Sequence, residues 1–497
     1  MLTTYTKKEK FRYLLGLSGQ NIIYGTVTSV LAYYLQFTIL IPAVWVGLIL
    51  SVARIFDAVK DPFIGAMISR GKHKLKDYLI AVPIPTAILT ILCFSNGIYS
   101  AENSMPKNIL IVLSAFVFYI IWEVVFTIGD IPITAYPSVL TSDEGDRTKV
   151  LSLRPIGGMA SGISTLAVQP IAFALSAVFG GSAVDERNAF LITVAAFSII
   201  GGALFQFTAI GSVERVSAER SENSGQLRYF ITNPLLRKIS ISGFLGSLKA
   251  MTGVILTPLV TYYFASKNPQ MSLIYTALFG VGSIVGLVIS AAAVPSLSKK
   301  YGTKRLFAAV NLINIFPNLL LFALYVKYPQ NMTNIPQTVA MFVLTLIIGS
   351  CVSISSTVQT LIISQAVDLE EKISGNRPDA LFFSAHTFIV KIGTGLSSLA
   401  ASIGYAVVKF SSSETAALND FIANGGIPRL DGRYSNLMTL LFMLYTLPVA
   451  LSSLLSAIPF IRGERDCKIK KLCEAIKNSA RSPGRNFLFS SFLYSGP

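Results

Sequence analysis

Apolar residues run along this chain in long blocks separated by short polar ones. The blocks cover 12–36, 43–68, 77–99, 108–138, 151–179, 188–211, 239–265, 271–297, 306–327, 337–363, 379–409 and 435–461. Each is long enough to cross a bilayer as a helix, which takes about 20 residues. Twelve membrane-spanning helices are therefore expected. The longest polar interruption before residue 460 is 212–238, rich in Ser, Glu and Arg. It divides the chain into six spans over 1–211 and six over 239–461, with a basic tail at 462–497.

Each six-span set has a basic loop in the same place: Ser69-Arg70-Gly71-Lys72-His73-Lys74-Leu75-Lys76 after span 2, and Ser298-Lys299-Lys300-Tyr301-Gly302-Thr303-Lys304-Arg305 after span 8. Two related six-helix halves with this loop predict an all-α membrane protein of major facilitator architecture. Such a fold holds its substrate near the bilayer midplane, between two pseudo-symmetric halves.

Composition agrees. The 497 residues are 52% hydrophobic and 13% charged, with a mean hydropathy of +0.61, which excludes a soluble multidomain protein. The net charge of +16 would suggest nucleic acid, but its placement decides otherwise. Of the 41 Lys and Arg, only Lys107, Arg187, Lys267, Lys327, Lys409, Arg429 and Arg433 fall on the expected outer side. That asymmetry follows the positive-inside rule and places both termini in the cytoplasm. No nucleic-acid partner is expected; membrane lipid surrounds the chain, and the inner leaflet is a candidate contact for the basic tail. Cys93, Cys351, Cys467 and Cys473 lie in spans or the cytoplasmic tail, where disulfides are not expected. With two histidines and no CxxC, a metal site is not expected either. Gly280 to Gly286 lacks the spacing of a dinucleotide fingerprint, and no Walker A loop is found, so transport would be gradient-driven or passive. The glycines within spans (Gly157, Gly158, Gly162, Gly282, Gly286, Gly393 and Gly395) are expected to let helices approach closely.

Charges inside spans are costly and point to function. Span 2 reads Arg54-Ile55-Phe56-Asp57-Ala58-Val59-Lys60-Asp61-Pro62. At 100° per residue Arg54, Asp57 and Asp61 fall within about 60° on one face, with Lys60 about 60° to the side of Asp57. Two carboxylates one turn apart hold a monovalent cation or share a proton. In span 4, Trp122, Phe126 and Asp130 follow i, i+4, i+8, an aromatic platform beside a carboxylate that suits a sugar. Gly129 and Pro132 predict a break in this helix. Arg154 opens span 5. In span 11, Thr387, Lys391 and Thr394 share a face, with His386 about 140° away from Lys391. Lys249 in span 7 has no partner legible in the sequence.

The run Arg54-x-x-Asp57-Ala58-x-x-Asp61-Pro62-x-x-Gly65, the segment Thr127-x-x-Asp130-Ile131-Pro132, and Val390-Lys391-x-Gly393 resemble the glycoside–pentoside–hexuronide:cation symporter family. This is the melibiose permease-like branch of the major facilitator superfamily, and the resemblance covers roughly residues 8–462. It implies a secondary transporter, not an enzyme, that imports a glycoside, pentoside or hexuronide with a coupling cation and no other cofactor. It implies cation-site roles for Asp57, Asp61 and Thr127, and sugar-pocket roles for Trp122, Phe126, Asp130 and Arg154. Thr387 and Lys391 match pocket and coupling positions, and His386 stands where the family pattern has Gln. Arg54, Gly65 and Arg70 are expected to serve structure and gating, the basic loops bracing the cytoplasmic side against Asp143, Glu144 and Asp146.

Three departures matter. Asn21 stands in place of a sugar-binding carboxylate, Thr134 in place of a pocket tryptophan, and Lys60 in place of a cation-site asparagine. An ammonium beside Asp57 takes the electrostatic place of a cation, so H+ is expected over Na+, or no coupling at all. Two of the departures also make the cavity more positive, which favours an anionic sugar such as a hexuronide. A lysolipid or other non-sugar carrier of the same fold and an uncoupled facilitator are the alternatives. A monomer in the bacterial inner membrane is expected. The Asn331-Met332-Thr333 triplet carries no weight, since such triplets are common by chance.

Overall fold

The computed structural model describes residues 5–71, 73–95, 109–141, 143–151, 153–215, 233–374 and 379–461. Most of the expected central loop and all of the tail, with Cys467 and Cys473, lie outside the described residues. Among those described there is no β-strand; the chain is a bundle of helices. They are α1 (Lys7–Tyr33), α2 (Ala43–Arg70), α3 (Leu75–Ala81 and Pro83–Cys93), α4 (Ile109–Leu140), α5 (Ala160–Phe179) and α6 (Ala183–Gln206). After the central loop come α7 (Pro234–Ala265), α8 (Pro269–Tyr301), α9 (Thr303–Lys327), α10 (Ile335–Ser374), α11 (Asp379–Val407), α12 (Ser412–Ala423) and α13 (Ser435–Ile461).

Among the described residues nine helices are long and apolar enough to cross a membrane, and α3, bent by 41°, makes up to ten. The long helices α1 and α2 are too polar for that count: α1 carries Gln20 and Asn21, and α2 carries Arg54, Asp57, Lys60 and Asp61. Helix positions agree with the apolar blocks to within a few residues. The exceptions are physical. Helix α10 runs well past its apolar stretch to Ser374, and there Glu370 accepts from Asn233 Nδ2 at 2.9 Å, beside the N-cap of α7. Helix α12 is capped by Ser411, whose hydroxyl accepts from Glu414 N at 3.3 Å, and is too short and polar to announce itself as a span.

The break expected at Gly129–Pro132 does not occur. Helix α4 is continuous for 32 residues with Pro132 and Pro137 inside it. Gly129 instead gives room to a neighbour, since a Cβ there would lie 2.8 Å from the Val82 side chain and 3.1 Å from Phe205. The irregular helix is α7, which passes through a 3-10 turn at Gly246–Ala250 and ends in π turns over Leu259–Ala265. Helix α1 ends in the same way, with π turns over Tyr34–Thr38.

Helices α8 and α10 touch backbone to backbone. A Cβ on Gly282 would lie 2.3 Å from Thr345 O, and one on Gly286 would lie 2.6 Å from Ser350 Cα. Gly158 and Gly162, expected to serve the same purpose, have nothing within 4 Å of a Cβ. Gly282→Ala should therefore destabilise the protein by about 1–3 kcal/mol, the usual cost of overpacking, while Gly162→Ala should be silent; thermal unfolding in detergent reads both.

Helices α1–α6 and α7–α13 are joined at one end by a network of polar and ring contacts. Lys267 Nζ lies 2.5 Å from Glu186 Oε2, which shares its carboxylate with Thr38 Oγ1 at 2.8 Å. Asn419 of α12 donates to Phe37 O at 2.9 Å and accepts from Tyr262 OH at 3.1 Å. Gln169 donates to Thr261, and Phe37 packs on Tyr262 and Tyr405 with ring centroids 5.1 and 5.8 Å apart. This network seals the end of the bundle at the α1–α2 and α7–α8 loops.

Candidate functional site

Below the seal, α2 and α11 lie against each other because small groups line their contact. Ser51 Oγ donates to Gly395 O at 2.7 Å, and a Cβ on Gly47 would meet Ser402. Gly393, from the Val390-Lys391-x-Gly393 segment, gives the room that Ser247 of α7 occupies. The close contact brings Lys391 of α11 to the acidic face of α2.

The result is a closed ring of two ammonium groups and two carboxylates. Lys391 Nζ lies 2.7 Å from Asp57 Oδ2 and also bonds Asp61 Oδ2. Lys60 Nζ bonds Asp57 Oδ1, lies 3.4 Å from Asp61 Oδ1, and donates to Thr127 Oγ1 of α4 at 2.5 Å. The Thr127 hydroxyl is 3.4 Å from each aspartate. Asp57 and Lys60 are 3% and 6% exposed. Charges so buried persist only when paired, and here each carboxylate faces both ammonium groups.

Arg54 leaves the aspartates and turns to Glu123, at 3.7 Å, and to the Tyr24 hydroxyl, at 3.5 Å. Asp130 accepts from Gln20 Nε2 at 2.6 Å. Arg154 donates to Thr134 Oγ1 at 3.3 Å and has no carboxylate partner among the described residues. Asn21 bonds back to Leu17 O at 2.8 Å. These groups line one lobe of a central cavity, of about 630 Å³, with Phe126 and Thr127. A second lobe of about 560 Å³ shares Tyr24, Arg54 and Lys391 and adds His386, Thr387, Thr394 and Gln359. His386 is held by Gln359 Nε2 at 3.0 Å and by Ser240 Oγ at 3.4 Å.

One expected platform is rearranged. Trp122 does not line the cavity: it is fully buried, and its Nε1 donates to Thr90 Oγ1 at 2.8 Å. It stacks behind Phe126, at 4.9 Å and 19° between rings, so of the two rings Phe126 faces the lobe, beside Asp130 of the same helix face. Tyr24, 5.4 Å from Phe126, supplies the second ring. The signal for Tyr24 was present, because Gln20, Asn21 and Tyr24 bring polar groups to adjacent turns within the first apolar block. Gly65 sits half-buried one turn past Asp61 in α2, and Arg70 ends that helix with its side chain outside the described residues. Of the expected brace, Lys72 and the side chains of Arg70 and Glu144 lie outside the described residues. Lys76 turns to Glu214 and Ser212, and Asp146 takes Lys149 at 2.9 Å.

A bundle of apolar helices around a polar, charge-lined cavity sealed at one end is the build of a membrane carrier. The chain belongs to the MFS/sugar transport protein family, whose sequence profile matches residues 12–463. It is 24% identical over 466 residues to the inner membrane symporter YicJ of Escherichia coli (strain K12), covering 91% of this chain and 90% of that protein. It is 24% identical to the isoprimeverose transporter of Lactiplantibacillus pentosus, covering 78% of each. These relatives bear out the resemblance read from the motifs, and the chain is an integral membrane protein of the major facilitator fold. A crystal structure of a D-xylose-proton symporter superposes with a TM-score of 0.60 at 15% identity, covering 91% of this chain and 97% of that one.

Proposed function

We propose that this protein is a secondary transporter that carries a sugar across the membrane by alternating access, coupled to H+ or uncoupled, and not driven by Na+. The observation behind this reading is the position of Lys60. Its ammonium occupies the space between Asp57, Asp61 and Thr127, the oxygens through which a sodium ion would have to be held. A proton needs no such space, because it binds a carboxylate oxygen directly. Protonating one aspartate loosens its hold on Lys391, the group that ties α2 to α11. The two helix sets can then rock about the cavity and exchange the seal for an opening.

Supporting a sugar are the paired rings of Tyr24 and Phe126, the acceptor Asp130 and the donors Asn21 and Arg154, all in one lobe. The basic loops support an open end in the cytoplasm and a sealed end outside, with both termini cytoplasmic in a bacterial inner membrane. All parts of the site come from one chain, so a monomer suffices. An uncoupled facilitator is favoured by the neutrality of the ring. The test is uptake of radiolabelled methyl glycosides and glucuronides into proteoliposomes under imposed gradients. A proton gradient should drive accumulation, or substrate should equilibrate with no gradient. Accumulation driven by a sodium gradient would overturn the coupling part, and indifference to every sugar would overturn the substrate class.

A further inference from the structure

Of the carboxylates Asp57, Asp61, Glu123 and Asp130, three are matched by cations: Asp57 and Asp61 by Lys60 and Lys391, and Glu123 by Arg54. Lys249 has no carboxylate within ion-pair distance among the described residues. Its Nζ donates to Asn311 Oδ1 at 2.6 Å. Asn311 is held in turn, its Nδ2 donating to Phe307 O at 2.8 Å and Ser355 Oγ at 3.0 Å, so its carbonyl oxygen is presented to the ammonium. One neutral acceptor engages one of three N–H donors. An ammonium inside a membrane span with only an amide against it is an expensive arrangement.

The place is also built as a recess. Lys249 sits in the 3-10 turn Gly246–Ala250 that breaks α7. It lines a hollow of about 200 Å³ with Ser355, Ser356, Gln359, Thr394 and Ser456. Ser356, Gln359 and Thr394 line the second lobe of the central cavity as well, so the hollow borders the space where substrate would lie. A hollow of hydroxyl and amide donors around an ammonium, with no carboxylate in its wall, has the chemistry of an anion site.

We propose that Lys249, with Ser356 and Gln359, forms a subsite for the carboxylate of an anionic sugar. The inference rests on the reading that the cavity takes a sugar, and it assigns the recognition of charge to α7. The experiment uses the detergent-purified full chain and three probes: methyl β-D-glucuronide, its neutral twin methyl β-D-glucoside, and inorganic phosphate, at constant ionic strength. Melting temperatures give apparent dissociation constants. The wild type should bind the glucuronide at least about tenfold more tightly than the glucoside, a difference of about 1.4 kcal/mol. Lys249→Gln should remove that preference and leave glucoside binding unchanged, while Lys249→Arg keeps it. Should Lys249→Gln not fold, Asn311→Asp supplies an internal carboxylate in place of the substrate's, and should remove the preference with the lysine retained. If the glucuronide preference survives in Lys249→Gln or Asn311→Asp, charge is read elsewhere and the proposal falls. If the glucoside binds and the glucuronide binds no better, the subsite falls and the sugar reading stands. If neither glycoside binds but phosphate stabilises the wild type and not Lys249→Gln, the subsite stands and the sugar reading falls. If no probe acts, both fall.

Discussion

Replacing Lys60 by asparagine should make the stability of the protein respond to sodium, where that of the wild type should not. Lys60 contributes one of the two positive charges in the ring and contacts Asp57, Asp61 and Thr127. Without it, two aspartates share Lys391 alone, and the ring carries a net negative charge in a place where Asp57 is 3% exposed. Removing one partner from such a set costs about 3–5 kcal/mol. Part of that cost is recoverable. The vacated space is bounded by the same three oxygen-bearing side chains, and the introduced amide offers a further carbonyl oxygen. An alkali cation entering there restores neutrality. In choline buffer Lys60→Asn should melt well below the wild type, and sodium at 100 times its dissociation constant should return about 2.7 kcal/mol. The wild type and Lys60→Arg, which keep a tethered cation, should melt alike in sodium and choline. If Lys60→Asn ignores sodium as they do, Lys60 pins helices together and does not stand in for an ion.

The aspartate pair of α2 was legible because charge in a membrane span is rare enough to stand out, and because its spacing is that of one helix turn. The same reasoning placed Lys60 beside Asp57. What the pattern left open is which cation faces which anion. On a helical wheel Arg54 shares a face with Asp57 and Asp61, yet its long side chain reaches past them to Glu123 and Tyr24. Partner choice depends on the neighbouring helix, which one-dimensional periodicity does not contain. Trp122 is a second instance. The i, i+4, i+8 spacing gives the face but not the depth, and a slight rotation about the helix axis puts Trp122 against Thr90 and leaves Phe126 at the cavity. The fold class was legible because apolar length marks most spans, although nine or ten helices rather than the expected twelve are apolar enough among the described residues. Its misses were the polar α12, the uninterrupted α4, and the 3-10 and π turns of α7. Those features are set by local hydrogen bonding and by contact with α1, α11 and α13.

The tie between α2 and α11 should be separable into a charge-balance component and a transport component. Lys391→Gln leaves two aspartates against Lys60, a net charge of −1. Asp61→Asn leaves two ammonium groups against Asp57, a net charge of +1. Each single variant therefore holds one uncompensated charge among groups that are mostly buried and should lose about 3–5 kcal/mol of stability. The double variant is neutral again, with Lys60 and Asp57 still paired. It should be more stable than the sum of the single losses by about 2–3 kcal/mol, the upper part of the range of about 0.5–3 kcal/mol found for residues in one ion-pair network. Thermal unfolding in detergent reads this coupling. Transport should not recover with it. Lys391 is the side chain through which α11 reaches the acidic face of α2, and the proposed alternating access would need that link to form and release in each cycle. All three variants should keep less than about a tenth of wild-type uptake, a barrier change of at least about 1.4 kcal/mol. Additive losses would mean that the two residues act independently and the ring is not a unit. A double variant that regained both stability and uptake would mean that charge balance is all the ring provides, and that the link across α2 and α11 has no part in the cycle.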